Sequence, residues 1–227
     1  MLIQIRQVLT PEQVTEFRRL LDAAAWGDGR ETAGYLSTRV KNNAQLPEMH
    51  PVALQLGQKI IETLGRHAQF HSAALPLKIV PPLFNRYAGG QAYGSHIDGG
   101  MRPVAGSSER VRTDLSATLF LSDPADYDGG ELTIEDTYGP RIVKLDAGDL
   151  VLYPSTSLHR VMPVTRGVRV ASFFWIQSMV RDNERRALLY ELDAIVQKLG
   201  GAGSAQHDEA LRLAGVYHNL IRFWADS

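Results

Sequence analysis

Cysteine is absent from this chain of 227 residues. That excludes disulfide scaffolding, thiolate metal sites and cysteine nucleophiles at once. No apolar run approaches the roughly 18 residues that a membrane span requires. An excess of one charge is missing too, with 24 Lys and Arg against 25 Asp and Glu for a net charge of −1. Such a balance carries no electrostatic footprint for nucleic acid or for an anionic membrane surface. The opening segment, MLIQIRQVLTPEQ, has no basic start, long apolar stretch or small-residue cleavage site, so it does not read as a secretory signal. A cytoplasmic protein with neither a nucleic-acid nor a membrane partner is the simplest expectation. Internal repeats and low-complexity segments are also missing.

What is present is an ordinary globular composition, 44% apolar and 22% charged. The length suits one well-cored domain with a small appendage. A first helix is signalled by Thr10 as cap, Pro11 at the first helical position and Gln13 completing a capping box. Val14, Phe17, Leu20, Leu21 and Ala24 then recur at helical spacing, and Gly27 and Gly29 close the segment. A second helix is expected from Pro51 to Leu64. Residues 65–76 give no clear pattern. From residue 77 to 178 the character changes to short β-rich runs: LKIVPPLFNRY, LSATLFLS, ELTIE, RIVKL, DLVLYP and RVASFFWIQS. Gly, Pro and Asp clusters separate them every ten or so positions, the pattern of an all-β sandwich or barrel. No helical pattern lies between the runs, which argues against a βαβ fold. After Gln177 helix returns. Asp182 caps a run through Leu199 with Leu188, Leu192, Ile195 and Leu199 in period. GGAGS breaks the chain, and a last helix starts near His207 or Asp208. These two helices form either a hairpin packed on the β core or a small separate unit.

Two of the seven histidines fall in the β region. His96 is followed by Asp98 in YGSHIDGG, and residues two apart on a strand face the same side. The pair alone is weak evidence, since about 0.4 such matches arise by chance in a chain of this composition. His159 in LYPSTSLHRV strengthens it. A sheet folded back on itself brings a second imidazole to the pair, and two imidazoles with one carboxylate form the facial triad of non-haem iron(II) oxygenases. Arg169 follows at the start of an otherwise apolar strand face that also carries Ala171, Phe173, Trp175 and Gln177. A guanidinium there suits a buried carboxylate, which it meets with two parallel hydrogen bonds. Arg166, in the preceding turn, reads as a surface ion pair. A cupin-type metalloenzyme, a zinc hydrolase with the same ligands and a non-catalytic sensor of iron or 2-oxoglutarate remain as other readings of these residues.

The strings RYAGGQAYGSHIDGG, SATLFLSDPADYDGGELTIE and KLDAGDLVLYPSTSLHRVMPVTRGVRVASFFWIQS together resemble the bacterial PKHD-type hydroxylases. These belong to the prolyl and lysyl hydroxylase branch of the iron(II)/2-oxoglutarate-dependent oxygenases and are described as iron-uptake factors. The resemblance spans essentially the whole chain. It implies an α+β protein, mainly β with flanking helices: a double-stranded β-helix (jelly-roll) core with N-terminal helices over residues 1–178, and a C-terminal helical extension over 179–227. It also implies that His96, Asp98 and His159 bind Fe(2+) and that Arg169 holds 2-oxoglutarate, joined by Tyr87. Tyr93 and Phe120 become candidate walls of the pocket. Dioxygen and 2-oxoglutarate are the implied co-substrates, succinate and carbon dioxide the by-products, and L-ascorbate (vitamin C) the supporting reductant. The hydroxylated substrate, peptidyl or siderophore-related, is not identified. Residues 99–113 read either as a lid over the site or as a plain surface loop, and the tail helices as a candidate homodimer contact.

Overall fold

The computed structural model describes residues 1–32, 34–35, 37–201 and 206–226. Two antiparallel sheets face each other. The larger runs in the order Ile3–Ile5, Leu150–Pro154, Leu115–Phe120, Val168–Ser178, Leu83–Ala88, Ala44–Gln45 and Gly27–Asp28, with Pro76–Ile79 pairing the far end of Val168–Ser178. The smaller runs Gly139–Val143, Leu132–Asp136, His159–Val161, Ala92–His96 and Lys41–Asn42.

Period-two alternation explains why the central strands look continuously apolar yet carry polar residues. In Leu150–Pro154, Leu150 and Leu152 join an outer core, while Val151 and Tyr153 join an inner one. In Leu115–Phe120, Leu115, Ala117 and Leu119 point outward and Ser116 and Thr118 line a cavity. In Val168–Ser178, Val170 and Ile176 face outward and Arg169, Phe173 and Trp175 line the cavity. Both faces of these strands are thus buried, one under helices and one between the sheets.

The covering helices are α1 (Pro11–Asp22), α2 (Pro51–Leu64) and the short α3 (Ala68–Ala74). Helix α1 has the expected capping box: the Thr10 hydroxyl accepts from the Gln13 backbone N–H at 3.3 Å, and the Gln13 side chain accepts from the Thr10 backbone N–H at 2.8 Å. It buries Val14, Phe17 and Leu21. It stops at Asp22, and Gly27–Asp28 pairs with Ala44–Gln45 rather than closing the helix. His50 and His67 serve as N-caps, each ring Nδ1 accepting a backbone N–H at the start of α2 or α3. The run LKIVPPLFNRY is two strands, because Pro81 and Pro82 offer no N–H to a ladder.

Helices α4 (Asn183–Leu199, capped by Asp182) and α5 (His207–Trp224) form an antiparallel pair. Residues 202–204 of the GGAGS break lie outside the described residues. The pair docks on α3 rather than on the β core: Ser72 donates to Asp193 at 2.5 Å and Gln69 to the Tyr190 hydroxyl at 3.1 Å. On α4 the buried positions are Arg186 and Leu189, whereas Leu188 is 61% exposed and Ile195 48%. Leu188 and Ile195 of the expected stripe therefore face outward, while Leu192 and Leu199 are half-buried. The helix turns Arg186 inward, where its guanidinium donates to the Val180 and Arg181 carbonyls. Among the described residues, no helix is long and apolar enough to cross a membrane.

Candidate metal centre and co-substrate pocket

His96 ends its strand and His159 begins another, and the two are direct cross-strand partners on the smaller sheet. The register slips between His159 and Val161. This bulge re-aims side chains locally and brings the Tyr93 ring flat against His96, 3.6 Å between centres. Asp98 lies just past the strand, not in it. Same-face geometry therefore does not place its carboxylate; Ser116 does, donating to Asp98 Oδ2 at 2.6 Å. The Ser116 hydroxyl also lies 2.8 Å from that of Ser155. One ligand atom from each of His96, Asp98 and His159 falls within 4.8 Å of the others, so the three side chains can hold one metal ion.

The tautomers suit that role. His96 Nδ1 sits 2.8 Å from the Gly94 carbonyl and His159 Nδ1 3.0 Å from the Ser157 carbonyl. A carbonyl only accepts, so each Nδ1 is the donor and each Nε2 keeps its lone pair. Burial first and the His159 ring second press the His96 imidazole down to about 4. It is therefore neutral at physiological pH, as a ligand must be.

The triad opens into a cavity of about 610 Å³ whose lining includes Tyr87, Tyr93, Tyr153, Arg169, Phe173 and Trp175. Arg169 is 1% exposed. Its Nε and Nη1 have no hydrogen-bond partner among the described residues, and the guanidinium lies 5.4 Å from the Tyr87 ring centre and 5.2 Å from that of Phe120. Tyr87 is its cross-strand partner. Burial pushes the Tyr87 phenol up, so it stays protonated and able to donate. Gly130, at φ +68°, makes room for this arrangement: a Cβ there would meet Arg169 Cδ at 3.0 Å. Tyr93 does line the cavity, whereas Phe120 packs in the inner core beneath the guanidinium. Arg166 forms the expected surface pair, with Asp128 at 2.7 Å. The segment 99–113 is neither loose loop nor bare turn. It carries a hairpin of Met101–Pro103 with Arg110–Arg112, and the Arg102 guanidinium stacks 5.1 Å from the Trp175 ring centre.

Ser116, Ser155, Tyr153 and Lys41 were not among the residues expected at the site. Ser116 and Thr118 carried a readable signal, polar positions alternating through an apolar strand. The other three carried none, because only the fold back of the two sheets brings them inward.

Residues 82–177 match the 2OG-Fe(II) oxygenase superfamily, and residues 183–226 match the PKHD-type hydroxylase C-terminal domain. A PKHD-type hydroxylase of Methylobacillus flagellatus is 60% identical over the full length of both chains. One of Bordetella pertussis is 57% identical, again over the full length of both. Among solved structures, a Pseudomonas putida prolyl-4-hydroxylase shares the fold with a TM-score of 0.51 at 21% identity, covering 78% of this chain and 92% of that one. A Trichoplax adhaerens prolyl hydroxylase, solved with a hypoxia inducible factor peptide fragment, gives 0.53 at 16%, covering 82% and 86%. The jelly-roll expectation holds, and the kinship selects an enzyme over a non-catalytic sensor. The chain belongs to the PKHD-type hydroxylases of the 2OG-Fe(II) oxygenase superfamily, whose members use iron(II), 2-oxoglutarate and dioxygen.

Proposed function

We propose that His96, Asp98 and His159 hold the ferrous ion, and that Arg169 with Tyr87 anchors the carboxylate of 2-oxoglutarate remote from the metal. The observation that carries this reading is the Arg169 guanidinium, buried to 1% exposure with two N–H-bearing nitrogens unsatisfied. A buried cation without a counter-charge is expensive, and a planar guanidinium is matched by a carboxylate. A small dicarboxylate supplies that partner and leaves its other end for the metal. The iron, once bound, couples oxidative decarboxylation of 2-oxoglutarate to hydroxylation of a substrate. The chain's own part is to fix both ends of the co-substrate, to orient the Asp98 carboxylate through the Ser116 hydroxyl, and to wall the reaction from water with Tyr87, Tyr153 and Phe173.

The finer parts of the reading follow the family. The substrate is a peptidyl residue or a siderophore-related small molecule, the cell context is iron uptake in the cytoplasm, and ascorbate is the supporting reductant. Residues 1–178 form the oxygenase domain and 179–227 its helical extension; the separate apolar cluster around Leu75, Val180, Leu189 and Trp224 supports that division. Exposed Leu188, Ile195 and Leu211 on the extension motivate a homodimer through it. Gel filtration of a Leu188→Lys, Ile195→Lys double variant tests that, with a monomer expected and an unchanged volume against it.

The site is tested by anaerobic titration of the metal-free chain with iron(II) and then 2-oxoglutarate, following the visible charge-transfer band of the chelate. The band is expected only with both, and is absent in His159→Ala. In Arg169→Met it requires on the order of 10- to 100-fold more 2-oxoglutarate, the loss expected for charge-assisted hydrogen bonds. Iron binding with no band at any 2-oxoglutarate concentration overturns the assignment.

A further inference from the structure

Behind the Arg169 guanidinium stands a second phenol. Tyr127 is 0% exposed and packs in the inner core with Tyr87, Phe120 and Tyr153. The cavity lining includes Arg169 but not Tyr127, so this ring backs the guanidinium and does not face the cavity. Its edge and the Arg169 stem flank one point: a Cβ on Gly130 would lie 3.0 Å from Tyr127 Cε2 and 3.0 Å from Arg169 Cδ. Lys144 holds the residue in place, with its ammonium 4.1 Å from the ring centre and a hydrogen bond donated to the Tyr127 carbonyl at 2.7 Å.

The hydroxyl is the costly part of this packing. Its oxygen is buried with no hydrogen-bond partner among the described residues. Phe120, whose ring centre is 5.2 Å from the same guanidinium, packs there without a hydroxyl. Of the groups that act on the Tyr127 phenol, Arg169 alone does so both by charge and by a side-chain contact with the oxygen. Glu131 and Asp123 act by charge in the opposite sense. The contact with Arg169 stops short of hydrogen-bond geometry, and Arg169 Nε and Nη1 are likewise without partners. A group that can only donate thus lies beside an unfilled acceptor. Burial keeps the phenol protonated, so it accepts from the guanidinium without becoming a counter-ion. An acid at this position would pair with Arg169 and compete with an incoming carboxylate.

We propose that Tyr127 is a positioning residue of the co-substrate pocket: its hydroxyl accepts from the Arg169 guanidinium when that group turns to a carboxylate, and fixes the edge that Arg169 presents to the cavity. This role rests on the reading of Arg169 as the anchor for the remote carboxylate of 2-oxoglutarate. One edge of the guanidinium then meets the carboxylate with two parallel hydrogen bonds, while a further N–H is held from behind by Tyr127. Holding the fork in one orientation spares the ordering that the ligand would otherwise have to impose.

The test compares 2-oxoglutarate with 2-oxopentanoate, which forms the same chelate but ends in a methyl group where 2-oxoglutarate has its remote carboxylate. Both are titrated anaerobically into the full chain loaded with iron(II), with the charge-transfer band as readout. Tyr127→Phe keeps the ring and removes only the hydroxyl, so the fold is expected to survive. It should raise the 2-oxoglutarate concentration at half-saturation about tenfold, the loss of one hydrogen bond to a charged group. The 2-oxopentanoate titration should not move. In an Arg169→Met chain, adding Tyr127→Phe should change neither titration, because residues that act as a unit are not additive. A shift shared by both ligands, a shift that persists in the Arg169→Met chain, or no shift at all would overturn the role of Tyr127 alone. A 2-oxoglutarate titration that Arg169→Met leaves unchanged would overturn the reading of Arg169, and this role with it.

Discussion

Asp98 reaches the candidate metal centre from outside the strand that carries His96, and one hydroxyl keeps its carboxylate from turning away. Ser116 donates to Asp98 at 2.6 Å and is itself steadied by Ser155 at 2.8 Å. Groups that orient a metal ligand contribute roughly 10- to 100-fold to metal affinity. Ser116→Ala is therefore expected to weaken iron(II) binding by that order while leaving the fold intact. Competition with a chelator measures the affinity and circular dichroism the fold; unchanged affinity would make Ser116 a packing residue only. Gly130 acts on the other end of the pocket. A Cβ at this position meets Arg169 Cδ at 3.0 Å and Val164 Cγ2 at 2.9 Å. Gly130→Ala should raise the 2-oxoglutarate requirement through displacement of Arg169, on top of the strain that positive φ imposes on alanine. Gly139→Ala separates the two effects. Gly139 has φ +104° and open space around it, so that variant should lower the melting temperature without touching co-substrate affinity.

At the scale of elements, legibility in the sequence followed length and the chemistry of ends. Helix α1 was readable because Thr10, Pro11 and Gln13 each perform one recognisable capping task. The strands Leu115–Phe120, Leu150–Pro154 and Val168–Ser178 were readable because burial on both faces makes them long apolar runs. The two-residue strands Gly27–Asp28, Lys41–Asn42 and Ala44–Gln45 were not, since two residues carry no period. Lys41 thus escaped notice with the strand that turns it inward. The triad histidines and Arg169 were legible in kind. Their convergence was not derivable from spacing, because Asp98 sits beyond its strand and the bulge at His159 is a product of tertiary pairing. Nor was the hairpin in segment 99–113 foreseen, its turn being rich in Gly and Ser. Arg102 ties that hairpin to Trp175, and Lys78 pairs with Glu109 at 2.6 Å on its outer side. A lid braced in this way would tighten when the cavity fills. Tryptic cleavage at Arg110 and Arg112 should slow once zinc(II) and 2-oxoglutarate are bound. Equal rates in both states would identify the hairpin as a fixed wall.

The whole molecule registers its cavity as a pH-dependent stability. Lys41 is held down to about 8 by burial and by Arg102, against an ordinary value of 10.5. Between these values the unfolded chain binds a proton at Lys41 that the folded chain lacks. Stability attributable to this residue therefore rises as pH climbs from 8 to 10.5, and below 8 the buried ammonium weakens the fold by its full amount. The buried phenols of Tyr87 and Tyr93 work in the opposite sense at higher pH, because burial keeps them protonated while the unfolded chain loses those protons near 10. Net stability alone mixes the two trends, whereas the difference between wild type and Lys41→Met isolates the lysine. Urea unfolding at pH 7, 8, 9 and 10 is the measurement. The variant should be the more stable chain at pH 7, and its advantage should shrink steadily from pH 8 upward. An advantage that stays constant across the series would mean that Lys41 titrates alike in the folded and unfolded chain.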